Sequence, residues 1–535
     1  MNKWIAALPA IVAVMLSVGL SAQQNPVVRT DEGDVVGRRG SVLTYLGIPY
    51  AAPPLGPLRW QPPQSAAAWS SPRDAGQVGN ACPQLVLAMF PVPGMKPGDV
   101  RGDEDCLNLN IYAPSSATAS SKLPVMVWIH GGAFTVGEGS AYDGSVLAAK
   151  DGVVVVTLNY RLGALGFLAL ASLDAEGQGE SSGNYGILDQ QAALQWVKRN
   201  IANFGGDPAS VTIAGESAGG MSVCAQLASP RAANLFKGAI IQSGFCESPG
   251  NSVLLGKAEA QGSDYARKLG CAATDLSCLR NVDTTMLLKT KVPGRRPLSN
   301  MVWSPTYKTG VLPLTLPAAF AQGKVNRVPV LVGTNHDEGR LFISVASPTG
   351  KPVTVVQYWG ATTLLVGASK TRRVLLHYPF RAFGTPALAF ATMFTDGVFS
   401  CPAMKVDRSL SQYVPVYAFE FNDPQAITKM KSPGDLPGLG AFHGSSLVYV
   451  FQTPIAGVAD PSMFSSAQRR LSDEFSAAWI SFVKTGDPNA SGKSQWKRFA
   501  GVKEFVQTAG VNGFQPNTTF ASEHKCMLWD GLDLE

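Results

Sequence analysis

Histidine is scarce in this chain, with five residues in 535. Any chemistry that needs an imidazole base therefore has few places to come from. Charge is thin as well, at 15% of residues. The formal net charge of +6 comes from 44 basic and 38 acidic side chains. It forms no basic stripe, and the pairs Arg295-Arg296 and Arg372-Arg373 read as solvated surface. That pattern excludes nucleic-acid binding. No Cys/His group has metal-ligand spacing and no phosphate loop occurs, so neither a metal nor a nucleotide cofactor is expected. There is no internal repeat and no low-complexity tract. Outside the first residues, no run reads as long and apolar enough to span a bilayer. The N-terminal run from Ile5 to Leu20 follows Lys3, is interrupted by Pro9 and ends in Leu20-Ser21-Ala22 before Gln23. Residues 1–22 therefore read as a cleavable signal peptide. Its removal leaves 43 basic and 38 acidic side chains, a net charge of +5. No cysteine lies near the cleavage point to carry a lipid anchor. The mature chain, residues 23–535, is expected to be secreted or periplasmic, where disulfides are permitted.

Apolar residues make up 45% of the chain, with ten Trp and 24 Phe, enough for a large core. Val27–Thr30 and Asp34–Gly37 flank Asp31-Glu32-Gly33 as a hairpin. Residues 41–46 read as another strand, followed by a stiff loop holding prolines 49, 53, 54, 57, 62 and 63. That loop is too apolar for a linker and should pack against the body. Residues 107–112 alternate like a half-buried strand. Residues 124–129 and 153–158 are near-continuous apolar runs, as central strands covered on both faces require. Asp189 to Phe204 has helical spacing and is stopped by Gly205-Gly206. Further strands are predicted at 238–241, 328–332 and 414–419, and a late helix at 472–482. Alternating strands and helices argue for an α/β fold with a mostly parallel sheet. Residues 245–325 and 340–410 read as mixed helix and loop inserted above the sheet.

One stretch organises the rest. The apolar run Val211-Thr212-Ile213 leads into Ala214-Gly215-Glu216-Ser217-Ala218-Gly219-Gly220, and Met221 to Leu227 continues as a helix. Strand, sharp turn and helix around Gly-x-Ser-x-Gly make a nucleophile elbow. Gly215 and Gly219 lack the Cβ atoms that would keep strand and helix apart. Ser217 is then lifted to the positive end of a helix dipole.

A serine hydroxyl is a poor nucleophile at neutral pH and needs a base, itself oriented by an acid. On such an elbow the acid and then the base follow the serine in the chain. His130 precedes it, and His336 comes before the best acid candidates. His377 lies in an apolar context that suits a core histidine, and His524 reads as surface. His443, in the glycine-rich loop Ala441-Phe442-His443-Gly444-Ser445, is the favoured base. After the 328–332 strand, Asp337 and Glu338 both qualify as the acid, and spacing does not choose between them. His130-Gly131-Gly132-Ala133-Phe134 follows a core strand, and its glycines would let backbone N–H groups approach a substrate oxygen closely. The N–H of Ala218 would add another.

With these residues in view, the chain resembles the type B carboxylesterase and cholinesterase family. Similar motifs occur at residues 47–51, 104–110, 159–163, 183–190, 204–208, 238–244 and 479–486, so the likeness spans nearly all of the mature chain. The resemblance implies one catalytic domain with an α/β-hydrolase fold, rather than the three or four domains that length alone suggests. It implies Glu338 as the acid, within Asn335-His336-Asp337-Glu338-Gly339. It also implies oxyanion donors at Gly132, Ala133 and Ala218, with Gly131 shaping the turn, and supporting roles for Glu216 and Ser243. Cys82 with Cys106, Cys271 with Cys278, and Cys401 with Cys526 look like the family's disulfides. Cys224 and Cys246 are left over, either as buried free thiols or as a fourth bridge, with free thiols the preferred reading.

Two departures stand out. Ser446 occupies a position where many relatives carry an acidic residue. The 82–106 loop holds Met89, Phe90 and Met95 but no Trp, which argues against a choline ester bound by cation–π attraction. The expected activity is hydrolysis of a small-molecule carboxylic ester through an acyl-enzyme. A non-catalytic binding or adhesion protein, and an amide or lactone hydrolase, are the competing readings.

Overall fold

The computed structural model describes residues 24–177, 182–248, 253–292, 301–346, 351–432, 435–489, 496–501 and 504–532. The proposed signal peptide and the Arg295-Arg296 pair lie outside them. The strands of the first hairpin and the main sheet, leaving aside five two-residue strands of small separate sheets, are in chain order β1 Val27–Arg29, β2 Asp34–Val36, β3 Arg38–Arg39, β4 Val42–Pro49, β5 Asn108–Pro114, β6 Leu123–Ile129, β7 Val154–Leu158, β8 Gly206–Glu216, β9 Gly238–Gln242, β10 Val330–Asn335, β11 Val416–Phe421, β12 Val506–Gly510 and β13 Gly513–Asn517. β1 and β2 form the hairpin read from the sequence. The other eleven build one sheet in the order β13-β12-β11-β10-β9-β8-β6-β7-β5-β4-β3. Its centre, from β7 to β12, is parallel throughout. Antiparallel strands close both edges.

The apolar runs form central strands because both faces of the sheet are covered. Alternate residues go to opposite sides: Val125, Val127, Ile129, Ile213 and Ile241 join one core, while Met126, Trp128, Ala214 and Ile240 join the other. The helices that matter for the site are α1 Tyr185–Asn200, α2 Ala218–Ala228, α3 Glu338–Ala346, α4 Val355–Val366, α5 Ala368–His377, α6 Pro386–Phe394, α7 Cys401–Leu410 and α8 Ser466–Thr485. α1 starts four residues earlier than its spacing predicts. It runs into a 3₁₀ turn at Ile201–Phe204 that ends at Gly205, whose φ of 89° only glycine adopts readily.

The proline-rich loop packs on the body as expected. Trp60 is buried and its indole N–H donates to the Ala164 carbonyl at 2.9 Å. Arg161 and Asp189, from two different family-like motifs, form a buried bidentate pair at 2.8 and 2.7 Å. That pair locks the turn after β7 to α1. The insertions are mostly helical. α6, a π-helical turn at Thr395–Ser400 and α7 join into one apolar stretch, Pro386–Leu410, long enough to cross a membrane. The sequence reading missed this length because Asp396 and Pro402 interrupt it. Of its most apolar window, 83% is buried inside the protein, as a core helix would be.

All eight cysteines are paired. The three implied bridges are present, and Cys224 is joined to Cys246, correcting the expectation that these two are free. The reason is local. Gly220 and Gly244 pack so closely that a Cβ on Gly220 would lie 2.7 Å from the Gly244 Cα. This contact draws the turn after β9 onto α2 and brings the two cysteines to a Cα separation of 6.3 Å.

Candidate active site

The parallel strands end in register, so the segments that follow them meet at one edge. Gly215 pairs with Ile129 on one side and Ile241 on the other, and Gln242 pairs with Gly333. Immediately beyond lie His130-Gly131-Gly132, Ser217, Ser243 and the Asp337-Glu338 turn. Carboxyl ends of parallel strands are where α/β sheets place ligands.

Ser217 sits at the tip of the elbow with φ 58° and ψ −123°, a conformation that side chains rarely adopt. Its N–H is held by the Gln242 carbonyl at 3.0 Å. The elbow closes only because its glycines are bare. A Cβ on Gly215 would lie 2.4 Å from the Gly219 carbonyl oxygen, and one on Gly219 would lie 2.0 Å from that of Ile129.

The structure brings His443 and Glu338 together, with Nδ1 2.6 Å from Oε2. The other oxygen, Oε1, accepts from Ser243 Oγ at 2.5 Å and from the Asn335 N–H at 2.7 Å. Asp337 turns away. It pairs with Arg340 at 2.8 Å and accepts the Ala441 N–H at 3.0 Å, which ties the histidine loop to the acid turn. The sequence reading did not single out Asn335 or Gln242, yet both brace this loop. Asn335 Nδ2 donates to the Phe442 carbonyl at 2.7 Å. Gln242 Nε2 donates to Asn335 Oδ1 and to Ser446 Oγ, both at 3.0 Å. Ser446 thus serves as a neutral brace of the histidine loop.

On its other side, His443 Nε2 lies 3.3 Å from Glu216 Oε1, one residue before Ser217. The imidazole therefore bridges the acid turn and the elbow. Burial works to lower its pKa, but the Glu216 and Glu338 carboxylates outweigh that and carry it up to about 8. Burial raises Glu216 to about 7, opposed by His443 and assisted by Glu338. The rings of Phe342 and Phe399 lie 5.1 and 5.0 Å from the His443 ring. Phe399 comes from the π-helical turn, and π turns commonly mark functional sites. Apolar insertion helices carried no signal in the sequence that would have placed these rings here.

Gly131 lies against the elbow: a Cβ there would be 3.1 Å from the Ser217 Cβ. Gly132 and Ala133 follow with φ of 102° and 54°. Among the described residues, the N–H groups of Gly132, Ala133 and Ala218 meet no protein acceptor. His130 stacks on Tyr160 with ring centroids 4.4 Å apart, and the Tyr160 hydroxyl donates to the His130 carbonyl. Burial lowers its pKa to about 4, so the ring is neutral and supports the turn from below.

Two histidines differ from their sequence reading. His377 is exposed at the end of α5 rather than buried, because the apolar face of that short helix is carried by Thr371, Val374 and Tyr378. His524 is buried rather than on the surface. Its Nδ1 meets Asp396 at 2.6 Å and its Nε2 meets Glu420 at 2.9 Å. Among the described residues no group of three or more His, Cys, Asp or Glu could hold a metal ion.

An eleven-stranded, mostly parallel sheet with a serine elbow at its carboxyl edge defines an α/β hydrolase. The solved structure titled PNB esterase has the same fold at a TM-score of 0.78, with 34% identity over 94% of this chain and all of that one. Residues 24–529 match the carboxylesterase family, and the chain belongs to that family. Para-nitrobenzyl esterase of Bacillus subtilis (strain 168) is 37% identical over 476 residues, covering 86% of this chain and 90% of the relative. Fumonisin B1 esterase of Sphingopyxis macrogoltabida is 37% identical over 511 residues, covering 91% and 87%. Cocaine esterase of Homo sapiens is 34% identical, covering 94% and 91%. The protein is a carboxylic ester hydrolase.

Proposed function

We propose that this esterase works through an acyl-enzyme formed on Ser217. His443 takes the hydroxyl proton as Ser217 attacks the ester carbonyl. Glu338 holds the imidazole in the tautomer that leaves Nε2 free to accept, and stabilises the imidazolium that forms. The oxyanion binds the N–H groups of Gly132, Ala133 and Ala218, each such donor typically being worth roughly 3–4 kcal/mol to the transition state. His443 then returns the proton to the leaving alcohol. Water activated by the same histidine releases the acid. The observation that carries this reading is the His443 imidazole, 2.6 Å from Glu338 on one side and facing the elbow on the other.

The substrate class is a small-molecule carboxylic ester, in keeping with relatives named for para-nitrobenzyl, cocaine and fumonisin B1 esters. Residues 1–22 act as a signal peptide, and residues 23–535 form one catalytic domain exported to a secreted or periplasmic location. Four disulfides are in keeping with an oxidising compartment. Hydrolysis of a short-chain nitrophenyl ester by the wild type and by Ser217→Ala tests the mechanism. A loss of at least ~10⁴-fold in kcat supports it, and equal rates contradict it.

A further inference from the structure

The first part of the insertion that follows Glu338, up to Thr395, contains no acidic residue. Residues 339–395 hold Arg340, Lys351, Lys370, Arg372, Arg373 and Arg381, and no Asp or Glu. These six positive charges equal the formal net charge of the whole chain, +6. Arg340 is paired with Asp337, and Arg373 donates to the Gly531 carbonyl. Among the described residues Lys370, Arg372 and Arg381 form no ion pair with a carboxylate.

The same segment collects exposed apolar side chains. Among the described residues, six of the fourteen large hydrophobic residues most open to solvent lie in it: Val345, Val355, Val356, Trp359, Leu364 and Leu376. α4 is apolar on nearly every face. It buries Tyr358, Thr362 and Val366 against the body. Val356, Trp359, Gly360 and Leu364 follow at i, i+3, i+4 and i+8 and make its outer face. Val356 is 81% exposed and Trp359 51%. A helix apolar on all sides is normally covered on all sides, and this one is covered by the body and by α5 but open on its outer face.

α5 lies antiparallel beside α4. The Tyr358 hydroxyl donates to the Tyr378 carbonyl at 2.5 Å, and Thr371 Oγ1 donates to Thr363 Oγ1 at 3.1 Å. The pair therefore joins the apolar stripe of one helix to the exposed Arg372 and Leu376 of the next. Trp, Val and Leu set beside Lys and Arg, with no acid among them, match a surface that is anionic at its headgroups and apolar beneath. A second copy of this chain fits poorly, since a two-fold contact would press two identical basic faces together.

We propose that the α4–α5 hairpin docks on an anionic lipid–water interface. Behind it α6 packs on α3, whose Phe342 ring lies against His443. The docking face is thus two helical layers from the candidate catalytic histidine, and soluble-ester activity can be read independently of it.

The test is co-sedimentation of the full chain with vesicles of phosphatidylglycerol mixed with phosphatidylcholine, against phosphatidylcholine alone, at low and high salt. Three proteins are compared: wild type, Val356→Ser/Trp359→Ser and Lys370→Glu/Arg372→Glu. The expected result is wild-type binding to the anionic vesicles that high salt weakens. Each double variant binds at least about fivefold less, with hydrolysis of a soluble nitrophenyl ester unchanged. Wild-type binding that is absent, or equal on both vesicle types, overturns the proposal without reference to any variant. So does self-association without vesicles that Val356→Ser/Trp359→Ser abolishes, which would assign the face to a second copy.

Discussion

Glu216 and His443 face each other across 3.3 Å, from Oε1 to Nε2, one residue from the serine that the elbow presents. A negative neighbour at that distance favours the imidazolium, while the proposed base must be neutral to accept a proton. The acid limb of the kcat/KM profile should therefore rise toward an inflection near the His443 value of about 8. Glu216→Gln removes the charge, so the inflection should move to lower pH. An inflection that stays in place after the substitution rules out this coupling.

Ser243 donates its hydroxyl to Glu338. Its hydroxyl is one of two donors to Glu338 Oε1. A hydrogen bond to a charged group contributes about 1.5–3 kcal/mol. Ser243→Ala should therefore lower kcat by roughly 10- to 100-fold, with KM for a small ester little changed. A change confined to KM would place Ser243 in substrate binding instead.

The disulfides should differ in what they contribute to stability. Cys401–Cys526 closes a separation of 125 residues and Cys271–Cys278 only 7. On loop entropy alone, removing the first should cost about 5 kcal/mol and the second about 2. Denaturant unfolding of Cys401→Ser/Cys526→Ser and Cys271→Ser/Cys278→Ser compares them directly. Equal losses would show that loop closure is not the dominant effect.

His524 gives stability a pH dependence. Burial opposes its charge, but Asp396 and Glu420 outweigh burial and carry its pKa up to about 10. A free imidazole titrates near about 6.5. The folded value is the higher, so the stabilisation is whole below about pH 6.5, declines above it, and is gone once pH passes about 10. Melting temperature should fall over that window more steeply in wild type than in His524→Gln. Near neutral pH, His524→Ala should cost about 3–5 kcal/mol, because it strands two buried carboxylates. Parallel melting curves for wild type and His524→Gln would refute the network's role.

What could be read from the sequence was what is encoded locally. Val153 to Leu158 announced a central strand because both faces of the sheet bury it. Gly215 and Gly219 announced the elbow because a tight turn needs bare Cα atoms within five residues. Asp337 and Glu338 could not be told apart by spacing, since one residue decides which carboxylate faces His443 and which faces Arg340. His524 was misread because the groups that bury it, Asp396 and Glu420, lie more than a hundred residues away and reach it through a π turn and a strand. The Cys224–Cys246 bridge was missed for a similar reason: a glycine-to-glycine contact between helix and turn has no local signature. Phe342 and Phe399 reach His443 only through the packing of inserted helices, which apolar periodicity does not specify.

The central claim is that Ser217 becomes acylated. The most direct measurement is mass spectrometry of the enzyme after reaction with an aryl carbamate ester, which expels its phenol and leaves a slowly hydrolysed carbamoyl group on the attacking residue. The account predicts a single covalent adduct on the peptide containing Ser217, complete loss of esterase activity in step with labelling, and no adduct in Ser217→Ala. An adduct on another residue, or full labelling of Ser217 with activity retained, would contradict it.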